Sequence, residues 1–355
     1  MKKITKLGLS ALCGSLAVAS AANAGDISVT GSAEITYLTV DSNTVGHPFG
    51  MKSNLGFAGS GELDGGQKVA LTITNTDKSA FSAASIALTT NNIGTFAISN
   101  GTGADLGDYD DKAPTAWEEA WDGGQGATTD KISGVASSTN INWVSPATTG
   151  NIMGGTKLIL AYAPRNNATK QNDKAASGDT GTTGKGLDVI LDLRSGKKLS
   201  GFLGYSRTKR PHNDGTNMSE PDGHKEEAVI GLNYKLGPFS MGYQHSAEDL
   251  KSQSQGQARE VDMYLNNSWG VAMNINGGLS VSYGEATSNQ IFTPVTNGAG
   301  ANKFTKKRKQ KSKALNAAYT IGGVTAKWSS AETKNAAYSE GSDKEATLVS
   351  LGIAF

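Results

Sequence analysis

One cysteine, Cys13, stands in 355 residues, and it lies in the first stretch of the chain. A small scaffold stapled by disulfides is therefore excluded. Lipid modification of Cys13 is disfavoured too, because Leu12 is bulky where such a site takes a small residue. Charge of one sign is lacking: 33 Lys+Arg face 32 Asp+Glu, so global charge argues for neither nucleic acid nor an anionic surface as partner. After residue 24 no apolar run approaches the roughly 20 residues of a membrane-spanning helix. Strong helix formers other than Ala are few; 45 glycines, with abundant Ser, Thr and Asn, make the chain turn-rich and compatible with strands.

What is present begins with an export signal. Lys2, Lys3 and Lys6 precede the apolar stretch Leu7 to Ala19, and Ala22-Asn23-Ala24 supplies a small-x-small cleavage site. Residues 1–24 are read as a signal peptide and residues 25–355 as one domain.

That domain alternates with a period of two. Thr347, Val349, Leu351, Ile353 and Phe355 share one face of the last segment, opposite Ala346, Leu348, Ser350, Gly352 and Ala354. Ile27, Val29, Ala33, Ile35 and Tyr37 do the same at the start. The pattern recurs along the chain and predicts 16 strands, including weaker ones at 84–90, 93–99 and 139–145. Connections run long and short in turn. Short ones read as turns at Asp64-Gly65-Gly66, Asn91-Asn92, Ser195-Gly196, Gly237, Asn276-Gly277 and Gly322-Gly323, with 146–154 longer than its class. Long polar ones are placed at 41–48, 77–83, 100–138, 164–185, 208–224, 248–258, 287–311 and 333–343. An all-β, antiparallel transmembrane β-barrel has this plan, with short periplasmic turns, longer outer loops and an even strand count. The mean hydropathy of −0.35 does not oppose it, because only alternate strand residues meet lipid.

The terminal Phe355, the alternation before it and the stretch from Asn54 to Gly66 (NLGFAGSGELDGG) resemble the trimeric general porins of Gram-negative outer membranes. The resemblance implies a homotrimer, passage of small hydrophilic solutes and ions, and recognition of Phe355 by barrel-assembly machinery. It also implies a third outer loop folded inward to constrict the pore, and 100–138 is by far the longest connection. The family's ladder of wall arginines is missing here, which leaves the selectivity open.

Chemistry is expected in that loop. Asp105, Asp108, Asp110, Asp111, Glu118, Glu119, Asp122 and Asp130 stand against Lys112 as the one base within 101–130. Lining a constriction, they would favour cations; facing outward, they would be a solvated loop. Asp108, Asp110 and Asp111 offer oxygens to Ca²⁺ but without EF-hand spacing, and no other cofactor is expected. Parity turns Lys52, Lys68, Arg194, Lys235 and Lys327 inward, with Glu34, Asp188, Asp192 and Asp262. The run Lys306, Lys307, Arg308, Lys309, Lys311 and Lys313 is placed in an outer loop just before a strand. There it would meet lipopolysaccharide phosphates, gather anionic solutes such as phosphate, or simply be solvated. Scattered histidines and no nucleophile motif argue against an enzyme. Glu118 and Glu119, being adjacent, are expected to diverge. A substrate-selective pore and a plugged, adhesive surface barrel remain as alternatives.

Overall fold

The computed structural model describes residues 26–41, 47–63, 65–77, 79–127, 129–136, 138–150, 153–165, 184–209, 224–251, 261–292 and 307–355, with residues 79–81 as backbone only. The expected signal peptide lies outside the described residues, as do Lys306 and most of the expected outer loops.

Sixteen antiparallel strands close into one barrel, each paired with its sequence neighbours. They are β1 (Ile27–Val40), β2 (Phe49–Glu62), β3 (Lys68–Thr76), β4 (Ser79–Thr90), β5 (Gly94–Asn100) and β6 (Thr139–Val144). Next come β7 (Lys157–Ala163), β8 (Gly186–Ser195), β9 (Leu199–Lys209), β10 (His224–Leu236) and β11 (Phe239–Asp249). The last are β12 (Val261–Asn274), β13 (Leu279–Phe292), β14 (Lys307–Ile321), β15 (Val324–Lys334) and β16 (Lys344–Ala354). Closure satisfies the strand backbone without leaving an edge, the condition for crossing a bilayer with strands. No helix among the described residues is long and apolar enough to cross a membrane.

The expected alternation sets the two faces. Ile35 pairs with Leu351 and Tyr37 with Val349 on the outside, while Glu34 pairs with Gly352 on the inside. Outward apolar side chains are therefore exposed on the isolated chain, Ile35 by 58% and Leu351 by 55%. Inward positions carry Ser, Thr, Asn, Gly and Ala in place of a packed core, and what is buried lies where a loop covers the wall.

Two connections differ from expectation. Instead of a loop over 77–83, β4 begins at Ser79. Asp77 adopts φ 54°, and its Oδ1 accepts from Ser53 N at 2.9 Å, which makes the reversal tight. Instead of a loop over 287–311, β13 runs to Phe292 and β14 starts at Lys307. The physical reason is that outward residues above the hydrocarbon no longer need to be apolar. Thr287 opposite Lys311, and Asn289 opposite Lys309, continue the ladder without the hydrophobic signal.

Candidate functional site

The connection from β5 to β6 enters the barrel and lies along its inner wall. Asp105 starts the descent: its Oδ1 accepts from Gly107 N at 3.0 Å and caps a single 3₁₀ turn, Leu106–Tyr109. Leu106 and Tyr109 bury against Ile132, Ile159, Ile190, Phe202 and Val229, an apolar seat inside an otherwise polar lumen. Wall glycines make room for it. A Cβ at Gly204 would strike Leu106 Cδ1, and one at Gly242 would come 2.6 Å from Pro114 Cδ.

Backbone groups of the loop are paired by wall side chains in sequence order. Asn233 Nδ2 donates to Lys112 O at 2.9 Å, and Gln244 Oε1 accepts from Lys112 N at 2.8 Å. Ser282 Oγ accepts from Ala116 N at 2.8 Å, and Asn316 Nδ2 donates to Glu118 O at 2.9 Å. Gln125 Nε2 reaches Thr333 at 3.1 Å, and Gly124 packs on Leu38 of β1. The chain then returns. Asn266 Nδ2 donates to Asp130 O at 2.9 Å, and Glu227 accepts from Ser133 N at 2.8 Å and Gly134 N at 3.0 Å. Asp188 Oδ2 joins the two limbs, accepting from Leu106 N at 3.0 Å and Val135 N at 3.1 Å. Lys225 sits between Glu227 at 3.0 Å and Glu248 at 3.1 Å, so these buried charges are compensated. The loop therefore coats the wall from β7 round to β1 and faces the remaining wall across the lumen.

This path sorts the eight acidic residues. Asp105 is 2% exposed, and burial, then the Asp108 and Asp188 carboxylates, push its pKa up to about 8. Asp110 is bound by Lys131 at 2.7 Å, a base one residue past the stretch counted in the sequence. Asp130 is tied to the wall through its backbone, its N–H donating to Tyr338 Oη at 3.2 Å. Asp108 and Asp122 are exposed, Asp111 and Glu119 half-buried, and Asp111 is 3.8 Å from Lys112. Glu118 is pushed up to about 7 by burial and then by the Asp122 and Glu119 carboxylates, with Lys327 opposing.

Glu118 and Glu119 do not diverge as on a strand. In this turn they and Asp122 bring carboxylate oxygens within 4.8 Å of one another, and among the described residues this is the one such metal-competent group. Asp108, Asp110 and Asp111 do not converge in that way.

The wall bases take several positions. Lys327 binds Glu34 at 2.9 Å and lies 5.0 Å from the Trp117 ring centroid. Lys52 stands opposite Glu34 in the register. Lys68 pairs in register with Glu62, and Arg194 reaches Asp192 at 3.0 Å. Lys68, Arg194 and Lys235 sit within a residue of a short turn, at the rim that carries both termini. Asp262 lies at the opposite end, in β12, at a break in the register with β13.

The basic run is not in a loop. Lys307, Arg308, Lys309, Lys311 and Lys313 belong to β14, where Gln310 and Ser312 are buried inward and Lys309, Lys311 and Lys313 are exposed on the exterior. Lys311 binds Glu285 at 2.9 Å, and Lys313 binds Glu332 at 2.6 Å. These lysines flank the outside of the barrel and not its lumen. Phe355 directly follows β16, with its backbone paired to Gly31.

Sequence reasoning missed the anchors Lys225, Glu227, Gln244, Glu248 and Asn316. Parity put Lys225, Glu227, Gln244 and Asn316 in view as polar residues on the inward faces of β10, β11 and β14, whereas Glu248 fell in the expected loop 248–258.

The sequence matches the Gram-negative porin family over residues 8–355. The chain is a Gram-negative porin. Solved structures share its fold at low identity. OmpF of Salmonella typhi, in complex with daunomycin, superposes with a TM-score of 0.65 at 13% identity, over 94% of this porin and 98% of that chain. An anion-selective porin from Comamonas acidovorans gives 0.59 at 16%, over 93% and 100%. The trimer form of OmpT, an outer membrane protein of Vibrio cholerae, gives 0.60 at 10%, over 94% and 100%. No curated protein sequence matches this porin. Family and fold together place it in the outer membrane as a channel protein.

Proposed function

We propose that this porin passes small hydrophilic solutes and ions by diffusion and prefers cations. One observation carries the reading: the loop is laid along more than half of the inner wall, so whatever it exposes faces the passage. Asp108, Asp111, Glu118, Glu119 and Asp122 are the groups it presents, with Lys112 beside them. The bases nearest mid-barrel are partly spoken for, since Lys327 binds Glu34. Carboxylates in a narrow, low-dielectric mouth raise the local cation concentration. A 16-stranded barrel is wide enough to leave water beside the loop.

The anion-collecting reading of the basic run is weakened by the exterior position of Lys309, Lys311 and Lys313. That position suits contact with phosphates of outer-leaflet lipopolysaccharide. Trimeric assembly, as printed for the Vibrio OmpT form, and recognition of Phe355 during barrel assembly belong to the same proposal.

Planar-bilayer recording in a potassium chloride gradient with chelator present tests it. Cation-selective reversal potentials are expected, moving toward zero when Glu118, Glu119 and Asp122 are neutralised. Folded protein without conductance would overturn the channel; an anion-selective potential would overturn the preference alone.

A further inference from the structure

The connection from β15 to β16 folds back over the inner wall, and three of its residues take the left-handed backbone region. Asn335 has φ 52°, Ala337 φ 52° and Tyr338 φ 58°. Asparagine tolerates that region, but an alanine and a tyrosine are strained there. Such strain persists only where the surroundings over-determine it. Here they do: Ala336 is 1% exposed and Tyr338 4%. Asn335 Nδ2 donates to Lys309 O at 3.1 Å, Ala337 N to Gln310 Oε1 at 2.8 Å and Ala336 N to Ser342 O at 2.7 Å.

What the strained turn holds in place is the phenol of Tyr338. Its Oη meets Ser288 Oγ at 2.7 Å and accepts from Asp130 N at 3.2 Å. Its ring centroid lies 5.6 Å from that of Tyr264. Ser288 and Tyr264 belong to the strands β13 and β12, whereas Asp130 belongs to the returning limb of the inward-folded loop. Gln310 of β14 makes a second bridge, because its Oε1 takes the turn while its Nε2 donates to Thr129 of the same limb. Two adjacent loop residues, Thr129 and Asp130, are thus fastened through one turn between β15 and β16.

We infer that Tyr338 is a positioning residue for the passage, and that the strained β15–β16 turn is a strap keeping residues 129–131 against the wall. Seated, Tyr338 denies this limb the space beside it. Unseated, the turn relaxes to ordinary backbone angles, the Asp130 N–H loses its acceptor and the limb is free to narrow the bore. The strain is part of the device, because it brings the seated and unseated forms closer in free energy than the contacts alone would set them. Only the effect on conduction rests on the channel reading; the strap itself is read on folded protein in detergent.

Backbone hydrogen exchange, followed by mass spectrometry on detergent-solubilised porin, tests the strap. Tyr338→Ala should speed exchange over residues 129–131 roughly tenfold or more, since these amides open locally once unfastened. Tyr338→Phe keeps the ring and loses the hydroxyl, and should fall between that variant and the wild type. Ala337 is exposed, so removing its Cβ takes away strain and no packing. Ala337→Gly should therefore slow the same exchange by about two- to fivefold. A side chain that merely filled space would give no such opposite sign. In planar-bilayer recording, brief closures should be most frequent in Tyr338→Ala and rarest in Ala337→Gly. Exchange unchanged in Tyr338→Ala, or faster in Ala337→Gly, overturns the strap. If Tyr338→Ala does not fold, Tyr338→Phe and Ala337→Gly decide by the same signs. Exchange that shifts as expected without any change in closures overturns the role in the passage. Wild-type porin that folds but does not conduct overturns the channel reading, and exchange alone then decides the strap.

Discussion

The ring of Phe355 lies across Gly31, where a Cβ would come 2.5 Å from its Cε2. The two residues also exchange backbone hydrogen bonds, Gly31 N to Phe355 O at 2.8 Å and Phe355 N to Gly31 O at 2.9 Å. The last residue of the chain thereby covers the first strand on the lipid face and completes the seam between β16 and β1. An aromatic ring shielding a strand glycine restores the packing that the missing side chain gives up.

Replacing Gly31 by valine forces the ring aside while leaving the backbone pairing possible. A cost of about 1–3 kcal/mol is expected from overpacking at this seam. The barrel should lose its compact electrophoretic form at lower temperature, and Gly31→Ala should fall between. An unchanged transition in Gly31→Val would show that the ring contributes nothing to closure.

Leu106 is 0% exposed at the centre of the apolar seat. Leu106→Ala should loosen the loop by about 2–5 kcal/mol, the usual cost of emptying a buried leucine site. Because every strand ladder is intact without it, the barrel transition should barely move. The effect should appear as added open-channel noise and faster proteolysis within residues 101–138.

Asp188 holds both limbs through one oxygen. Asp188→Asn exchanges charge-assisted bonds for weaker ones, and about 1.5–3 kcal/mol is at stake for bonds to a charged group. Combined with Leu106→Ala the effect should be non-additive, because Leu106 supplies one of the two N–H donors. Protease susceptibility of the loop in the two single variants and the double variant measures the coupling.

Asp105 gives the seated loop a pH dependence. Its pKa rises from an ordinary value near 3.8 to about 8 when seated. In the window between those values the seated loop holds a proton that the unseated loop releases. Seating is therefore strongest below about pH 4 and weakens as pH rises through 8. Loop proteolysis should accelerate from pH 6 to 9. Asp105→Asn keeps an acceptor for Gly107 N–H without the titration and should flatten that profile.

Most of the barrel was legible. Alternation at 347–355 and 27–37 marks which face meets lipid, and the count of 16 strands with paired termini is what the structure has. The departure at Lys307 has a physical cause. Strand pairing is a backbone property, whereas the readable signal comes from apolar side chains, and these vanish where the exterior meets headgroups and water. Lys309, Lys311 and Lys313 therefore read as loop, although they alternate correctly within a strand.

The acidic loop was legible as a composition and not as a site. Nothing local distinguishes Asp105, buried as a cap, from Asp108, exposed three residues on. Nor does spacing show that the Glu118, Glu119 and Asp122 carboxylates converge. Inward glycines such as Gly204 and Gly242 were a trace of the path, since a strand gives up a side chain where another backbone approaches.

By itself, then, the sequence determined the barrel, its faces and its family, because period-two burial is written residue by residue. Only the tertiary structure decided which charges reach the passage. That choice depends on contacts between one long loop and most of the strands, and such contacts leave no period in the chain.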